Sequence, residues 1–191
     1  MKRIAIFASG AGSNAKKIIA HFKNSPHVQV ALVVSNKSKA GVLTIANEAG
    51  VPILLIERNL FFESDHYVNF LKEQQIDWII LAGFLWKIPA RILAGWGGRI
   101  INVHPALLPN YGGKGMYGEA VHKAVLEAGD KESGITIHYV DEQYDHGAII
   151  YQATCPVLVD DTPATLATRI HTLEHAHYPR VIEEIVVACK S

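Results

Sequence analysis

No stretch of this sequence is apolar for long enough to cross a bilayer; its longest apolar runs, such as Trp78 to Leu85, have the length of a strand. Cysteine is scarce, with only Cys155 and Cys189 in 191 residues, so there is no disulfide framework and the thiols are expected free in a reducing compartment. Charge of one sign is lacking too: Lys plus Arg is 18, Asp plus Glu is 18, and the net charge is zero. That balance argues against a broad surface for nucleic acid or another polyanion, which needs clustered positive charge. No charged-then-apolar leader is present, because Met1-Lys2-Arg3 runs directly into Ile4, and a cytoplasmic protein is expected. Repeats, low-complexity tracts and linkers are also missing, which predicts one domain over residues 1–191. What remains is ordinary globular material, 49% hydrophobic with a mean hydropathy of +0.15, long enough to bury a core.

The apolar residues come in two patterns. Ile4 to Ala8, Val28 to Val34 and Trp78 to Leu81 are continuous runs, as in strands buried on both faces. Between them, Ala15, Ile18, Ile19 and Phe22 repeat at helical spacing, and Tyr67, Phe70 and Leu71 do so before Asp77. Strand alternating with helix predicts an α/β fold, a Rossmann-like, mostly parallel twisted sheet with helices on both faces. After Ile100 the pattern changes. A strand ends at Asn102-Val103-His104-Pro105, a Gly- and Pro-rich loop runs from Ala106 to Gly118, and a helix is expected from about Glu119 to Glu127. Ile135 to Val140 and Ile149 to Thr154, separated by a short polar loop, predict an antiparallel carboxyl-terminal hairpin on the sheet edge. Thr162-Pro163 reads as the cap and first residue of a last helix.

Several short segments carry chemistry. Ser9-Gly10-Ala11-Gly12-Ser13-Asn14 follows a strand and opens a helix, so the N–H groups of Gly12, Ser13 and Asn14 are placed for an anion. No Gly-Lys-Ser/Thr follows and no acidic residue ends the second strand, so a single phosphate fits better than a pyrophosphate; a plain capped connector is the alternative. Asn102 and His104 lie two apart, which places both side chains on one face about 6.5 to 7 Å apart along the strand. An amide and an imidazole aimed into one crevice suit a developing oxyanion, although a polar strand end facing water looks the same. Asp141 and Asp145 flank the hairpin turn, where acidic residues are usually solvated, and His138 either lines the crevice or packs with a hydrogen bond. Phe84 to Pro89 reads as an aromatic loop that serves as an apolar wall for a ring system or as a core plug. His171-Thr172-Leu173-Glu174-His175 matches the H-x-x-E-H pattern of inverted zinc peptidases, but no third ligand identifies itself; His171 and Glu174 at i and i+3 suit a polar ligand equally.

In this order, SGAGSN, LAGF, INVHPALLPNYGG, GITIHYVDEQYDHGAII and LEHAHYP span nearly the whole chain and resemble the phosphoribosylglycinamide formyltransferases. The resemblance implies transfer of a formyl group from 10-formyltetrahydrofolate, as co-substrate and without a metal, to the amine of glycinamide ribonucleotide in purine synthesis. It implies a catalytic trio of Asn102, His104 and Asp145, with Gly12, Ser13, Asn14, His171 and Glu174 on the ribonucleotide. It further implies a folate site along Leu85, Trp86, Lys87, Ile88, Asn102, Val140 and Asp141. Small-molecule substrates, no nucleic acid or membrane partner, and a monomer or homodimer belong to the same expectation. Gly113 to Gly118 lacks the histidine common near there in that family, and Trp86-Lys87 stands where an arginine-containing pair is frequent. The rival readings are a formyltetrahydrofolate hydrolase, whose relatives usually carry an extra amino-terminal domain, a non-catalytic nucleotide-binding module, and the zinc peptidase.

Overall fold

In the computed structural model, which describes residues 1–189, the continuous apolar runs become the strands of one sheet. The elements in chain order are β1 (Lys2–Phe7), α1 (Ser13–Phe22), β2 (Val28–Ser35), α2 (Gly41–Glu48), β3 (Ile53–Leu55), α3 (Arg58–Glu63) and α4 (His66–Glu73). They continue with β4 (Trp78–Leu81), α5 (Ala90–Trp96), β5 (Ile100–His104), α6 (Glu119–Ala128), β6 (Glu132–Tyr139), β7 (Ile149–Pro156) and α7 (Pro163–Ala188). The sheet order is β3-β2-β1-β4-β5-β6-β7. Its first five members pair in parallel, and β5 with β6 and β6 with β7 pair antiparallel. The mostly parallel sheet and its carboxyl-terminal hairpin are therefore as the sequence predicts, with β7 on the edge.

Both faces of the central strands are covered, which is why they read as unbroken apolar runs. On one face Ile4, Ile6, Val33, Ile80 and Ile101 pack with Ile18, Val42, Val125 and the α7 residues Ile170, Tyr178 and Ile182. On the other, Phe7, Val34, Ile79 and Ile100 pack with Phe61, Leu71, Ile92 and Trp96. The long helix α7 starts as its sequence requires: the Thr162 hydroxyl accepts from the Thr165 N–H, the Thr165 hydroxyl accepts in return from the Thr162 N–H, and Pro163 takes the first turn. Arg169 donates to both carboxylate oxygens of Asp161, at 2.7 and 3.1 Å, and this fork holds the Asp161 carboxyl well below the usual carboxylate range.

Strand order places the site. From β1 the chain moves outward to β2 and β3, then returns to β4 on the other flank of β1. The reversal leaves a crevice beyond the carboxyl ends of β1 and β4, where open α/β sheets bind ligands. Tyr178 fastens α7 to the floor of that crevice. Its fully buried hydroxyl shares its hydrogen between the Leu81 carbonyl at 2.8 Å and the Ile101 carbonyl at 3.1 Å, on the adjacent strands β4 and β5. Burial pushes the phenol far above its ordinary pKa, so it stays a neutral donor. Tyr178→Phe should cost about 1–3 kcal/mol by leaving buried carbonyls short of a partner. Urea unfolding should show a lower midpoint at an unchanged slope, and an unchanged midpoint would remove this bond from the fold's support.

Candidate active site

The turns after β1, β4 and β5 open into a cleft of about 870 Å³. On its first wall, Gly12 sits at φ +83° just before α1, a conformation an L side chain rarely adopts, and an added Cβ would lie 2.8 Å from the Val42 backbone. The turn is thus built from bare backbone because α2 packs directly beneath it. Ser9 braces it to the β4 turn: its hydroxyl accepts from the Leu85 N–H at 2.9 Å and donates to Asn36 at 2.6 Å. Asn14 then reaches α7, its amide donating to Glu174 Oε2 at 2.8 Å, and His171 Nδ1 meets the same oxygen at 2.9 Å. Glu174 is 4% exposed, and this contact raises the His171 pKa above its ordinary value. The five residues that the resemblance puts on a ribonucleotide all line one end of the cleft.

At the other end stand Asn102, His104 and Asp145. His138 lies opposite Asn102 across the β5–β6 pairing, and its Nδ1 is 2.8 Å from the Tyr139 carbonyl, which can only accept. The proton therefore sits on Nδ1, so Nε2 accepts from the Asn102 amide at 3.1 Å. Burial lowers the His138 pKa, consistent with this neutral acceptor. One Asn102 amide hydrogen is spent on His138 and the other is left for the cleft. His104, 3% exposed, meets the Tyr111 carbonyl with Nε2 at 2.7 Å, so Nε2 carries a proton. Nδ1 faces Asp145 Oδ2 at 3.5 Å, longer than a direct bond and wide enough to share an oxygen.

Asp145 is held by two loops at once. Its backbone is left-handed at φ +52°, which aspartate tolerates better than most residues, and its Oδ2 accepts from the Gly113 N–H at 3.0 Å. Gly147, two residues on, is required because the Tyr139 carbonyl occupies the space of a Cβ. Thr136, opposite His104, clamps the loop after β5: its hydroxyl accepts from the Leu108 N–H at 2.9 Å and donates to the Ala106 carbonyl at 2.7 Å.

The remaining sequence candidates are distributed differently. Leu85 and Asn102 line the cleft, whereas Trp86, Lys87, Ile88, Val140 and Asp141 are not among its lining residues. Ile88 is buried in the core, and Trp86 packs at a tilt against Phe61 and Phe62, with Arg58 over its ring, so these two follow the core-plug reading of the aromatic loop. Lys87 lies over the Tyr144 ring, and Asp141 shapes the hairpin turn through the Gln143 N–H and His146. His171 and His175 stack nearly parallel at 6.1 Å, and no group of three His, Cys, Asp or Glu among the described residues is arranged to hold an ion.

Two lining residues carried no sequence signal. His122 looked like any polar residue in an amphipathic helix, and Lys114, the sole lysine or arginine of the lining, lay in a glycine-rich loop. The first residues of α1, α6 and α7 all border the cleft, so helix N-termini supply positive potential that the side chains do not.

Residues 2–182 match the family model described as formyl transferase. A chloroplastic phosphoribosylglycinamide formyltransferase of Arabidopsis thaliana is 42% identical over 190 residues, covering 96% of this chain and 65% of that protein. The trifunctional purine biosynthetic protein adenosine-3 of Drosophila melanogaster is 42% identical over 192 residues, 97% of this chain and 14% of that protein. The chain thus spans less than two thirds of these relatives' length. Glycinamide ribonucleotide transformylase 1 of Symbiobacterium toebii superposes with a TM-score of 0.89 at 33% identity, over 97% of this chain and 88% of that one.

The buried and half-buried histidines make stability depend on pH. Burial lowers the pKa values of His122, His138, His175 and His177, so on acidification the unfolded chain takes up those protons first. Stability from these four is complete above about pH 6.5, the unfolded value, and is lost below it. His171, whose pKa is raised, opposes them: its contribution is present below that value and lost as pH rises through the folded pKa. Four against one predicts a Tm that falls from pH 7 to pH 5, and His138→Asn should flatten the fall. Calorimetry showing a flat or rising Tm would contradict the neutral, buried assignment.

Proposed function

From the premise that the chain belongs to the formyl transferase family, we propose that it transfers the formyl group of 10-formyltetrahydrofolate to the amine of glycinamide ribonucleotide, in purine synthesis. The observation that carries this reading is one cleft with a bare-backbone anion turn at one end and Asn102, His104 and Asp145 gathered at the other. A cytoplasmic location, a single formyltransferase domain, and small-molecule substrates without a metal, acted on by a monomer or homodimer, belong to the same proposal.

In this reading the N–H groups of Gly12, Ser13 and Asn14 hold the 5′-phosphate. Glu174 spends Oε2 on Asn14 and His171, leaving Oε1 for the ribose hydroxyls. The folate supplies an electrophilic formyl carbon near Leu85 and Asn102, and Trp86, Lys87, Ile88, Val140 and Asp141 act behind that wall by holding its loops in place. As the amine nitrogen bonds to the formyl carbon, negative charge develops on the former carbonyl oxygen. The free Asn102 amide hydrogen and a protonated His104 Nδ1 are aimed to receive it. Collapse breaks the bond to the donor nitrogen, which gains a proton while the amine nitrogen gives one up. Asp145, across the 3.5 Å gap from His104, balances the imidazolium charge and passes that proton through a shared water.

Purified protein given both substrates after chelator treatment should deformylate the folate only when the ribonucleotide is present. Turnover without it would replace the reading by the hydrolase, and turnover lost to chelation would bring in a metal. Asn102→Ala should lower kcat by about 10²–10³-fold, the loss typical of one oxyanion donor. Asp145→Asn and His104→Ala should cut turnover by orders of magnitude while sparing ribonucleotide affinity; comparable turnover in both would remove them from the mechanism. Gly12→Val, which meets both the positive φ and Val42, should chiefly weaken ribonucleotide binding, and unchanged affinity by titration calorimetry would place the phosphate elsewhere.

A further inference from the structure

One imidazole in the cleft is unaccounted for. His122 on α6 is 2% exposed, and its Nδ1 is enclosed without a hydrogen-bond partner in the protein. The other two buried histidines of this region are satisfied, His104 by the Tyr111 carbonyl and His138 by Asn102 and the Tyr139 carbonyl. An unmade bond of this kind is a net cost to the fold, and the neighbouring inward residues of α6, Val121 and Val125, show that apolar side chains serve for packing there. A polar ring kept at such a position calls for a partner that the folded chain alone does not supply, and because Nδ1 is shut off from solvent, that partner meets the ring at Nε2.

The position says what that partner is. His122 lines the same cleft as His104, His171 and Glu174, and the charges of all three reach it, together with Glu119 from its own helix. It therefore stands within electrostatic reach both of residues assigned above to phosphate and ribose and of His104, assigned to acyl transfer. Burial lowers its pKa, so near neutrality the ring is uncharged, with one donor and one acceptor nitrogen. That chemistry suits a hydroxyl or an amide rather than a phosphate. We infer that His122 contacts the substrate directly, its imidazole hydrogen-bonding the neutral ribosyl-amide segment between the phosphate and the reacting amine. The inference rests on the ribonucleotide reading of the site and adds to it the residue that measures the span between its two charged ends.

The test is titration calorimetry and steady-state kinetics on the full chain carrying His122→Leu or His122→Asn, with glycinamide ribonucleotide and with ribose 5-phosphate as probes. A ten-fold or larger loss of ribonucleotide affinity, appearing in KM more than in kcat, with Tm unchanged or raised, is the expected result. Loss confined to glycinamide ribonucleotide assigns the bond to the amide, and equal loss for ribose 5-phosphate assigns it to a ribose hydroxyl. Affinity and kcat/KM within two-fold of wild type overturn the inference, as does a lowered Tm with normal binding by the folded protein, which would make His122 structural. Should the leucine variant fail to fold, the asparagine variant is read by the same criteria. Wild-type protein that neither binds nor formylates the ribonucleotide removes the functional reading and this inference together, whereas active wild type with indifferent variants removes the inference alone.

Discussion

Antiparallel pairing of β5 with β6 sets Asn102 opposite His138 and His104 opposite Thr136, and the rest of the site follows from that register. His138 fixes which way the Asn102 amide points, because its own proton is committed to the Tyr139 carbonyl. Thr136 clamps the loop that leaves His104, and that loop brings the Tyr111 carbonyl to His104 and the Gly113 N–H to Asp145. A slip of β6 by one residue would turn Thr136 and His138 to the opposite face of the sheet, away from His104 and Asn102. The strain of left-handed Tyr111 and Asp145 is tolerated where the two loops meet across the same bond network.

The cleft gathers oriented backbone donors rather than cations, and its lining also carries the carboxylates Glu119, Asp145 and Glu174. Net charge is zero and Lys114 is the sole lysine or arginine of the lining, yet three helices direct their first residues at the cleft. Backbone N–H groups at a helix start are already oriented and carry no side-chain entropy to lose, so they hold an anion at a fixed place. Such donors suit the single phosphate proposed for the Gly12 turn better than an extended polyanion.

Much of the fold was readable along the chain because its signals are local. Continuous apolar runs marked strands covered on both faces, Thr162-Pro163 marked the start of α7, and period-two spacing put Asn102 and His104 on one face. The aromatic loop was less readable. Trp86 and Ile88 carry no mark that distinguishes a ligand wall from a core plug, since both uses demand large apolar side chains; only the neighbouring Phe61 and Phe62 decide it. Asp141 and Asp145 were likewise equivalent in a polar turn, until the close approach of Gly147 to the Tyr139 carbonyl aimed one inward and left the other to shape the turn.

By itself the sequence determined the alternation of strands and helices and the bare-backbone turn at Gly12, and its ordered motifs pointed to Asn102, His104 and Asp145 as the residues proposed for catalysis, because spacing, turn chemistry and ordered motifs are properties of neighbours in the chain. Tertiary structure alone decided that Asn14 meets Glu174 across 160 positions, that His104 and Asp145 stand 3.5 Å apart, and that His122 is enclosed without a partner. Those facts depend on strand order and on which helix packs over which turn. A hydrogen bond or a desolvated nitrogen is set by where distant segments come to rest, and no local period encodes that.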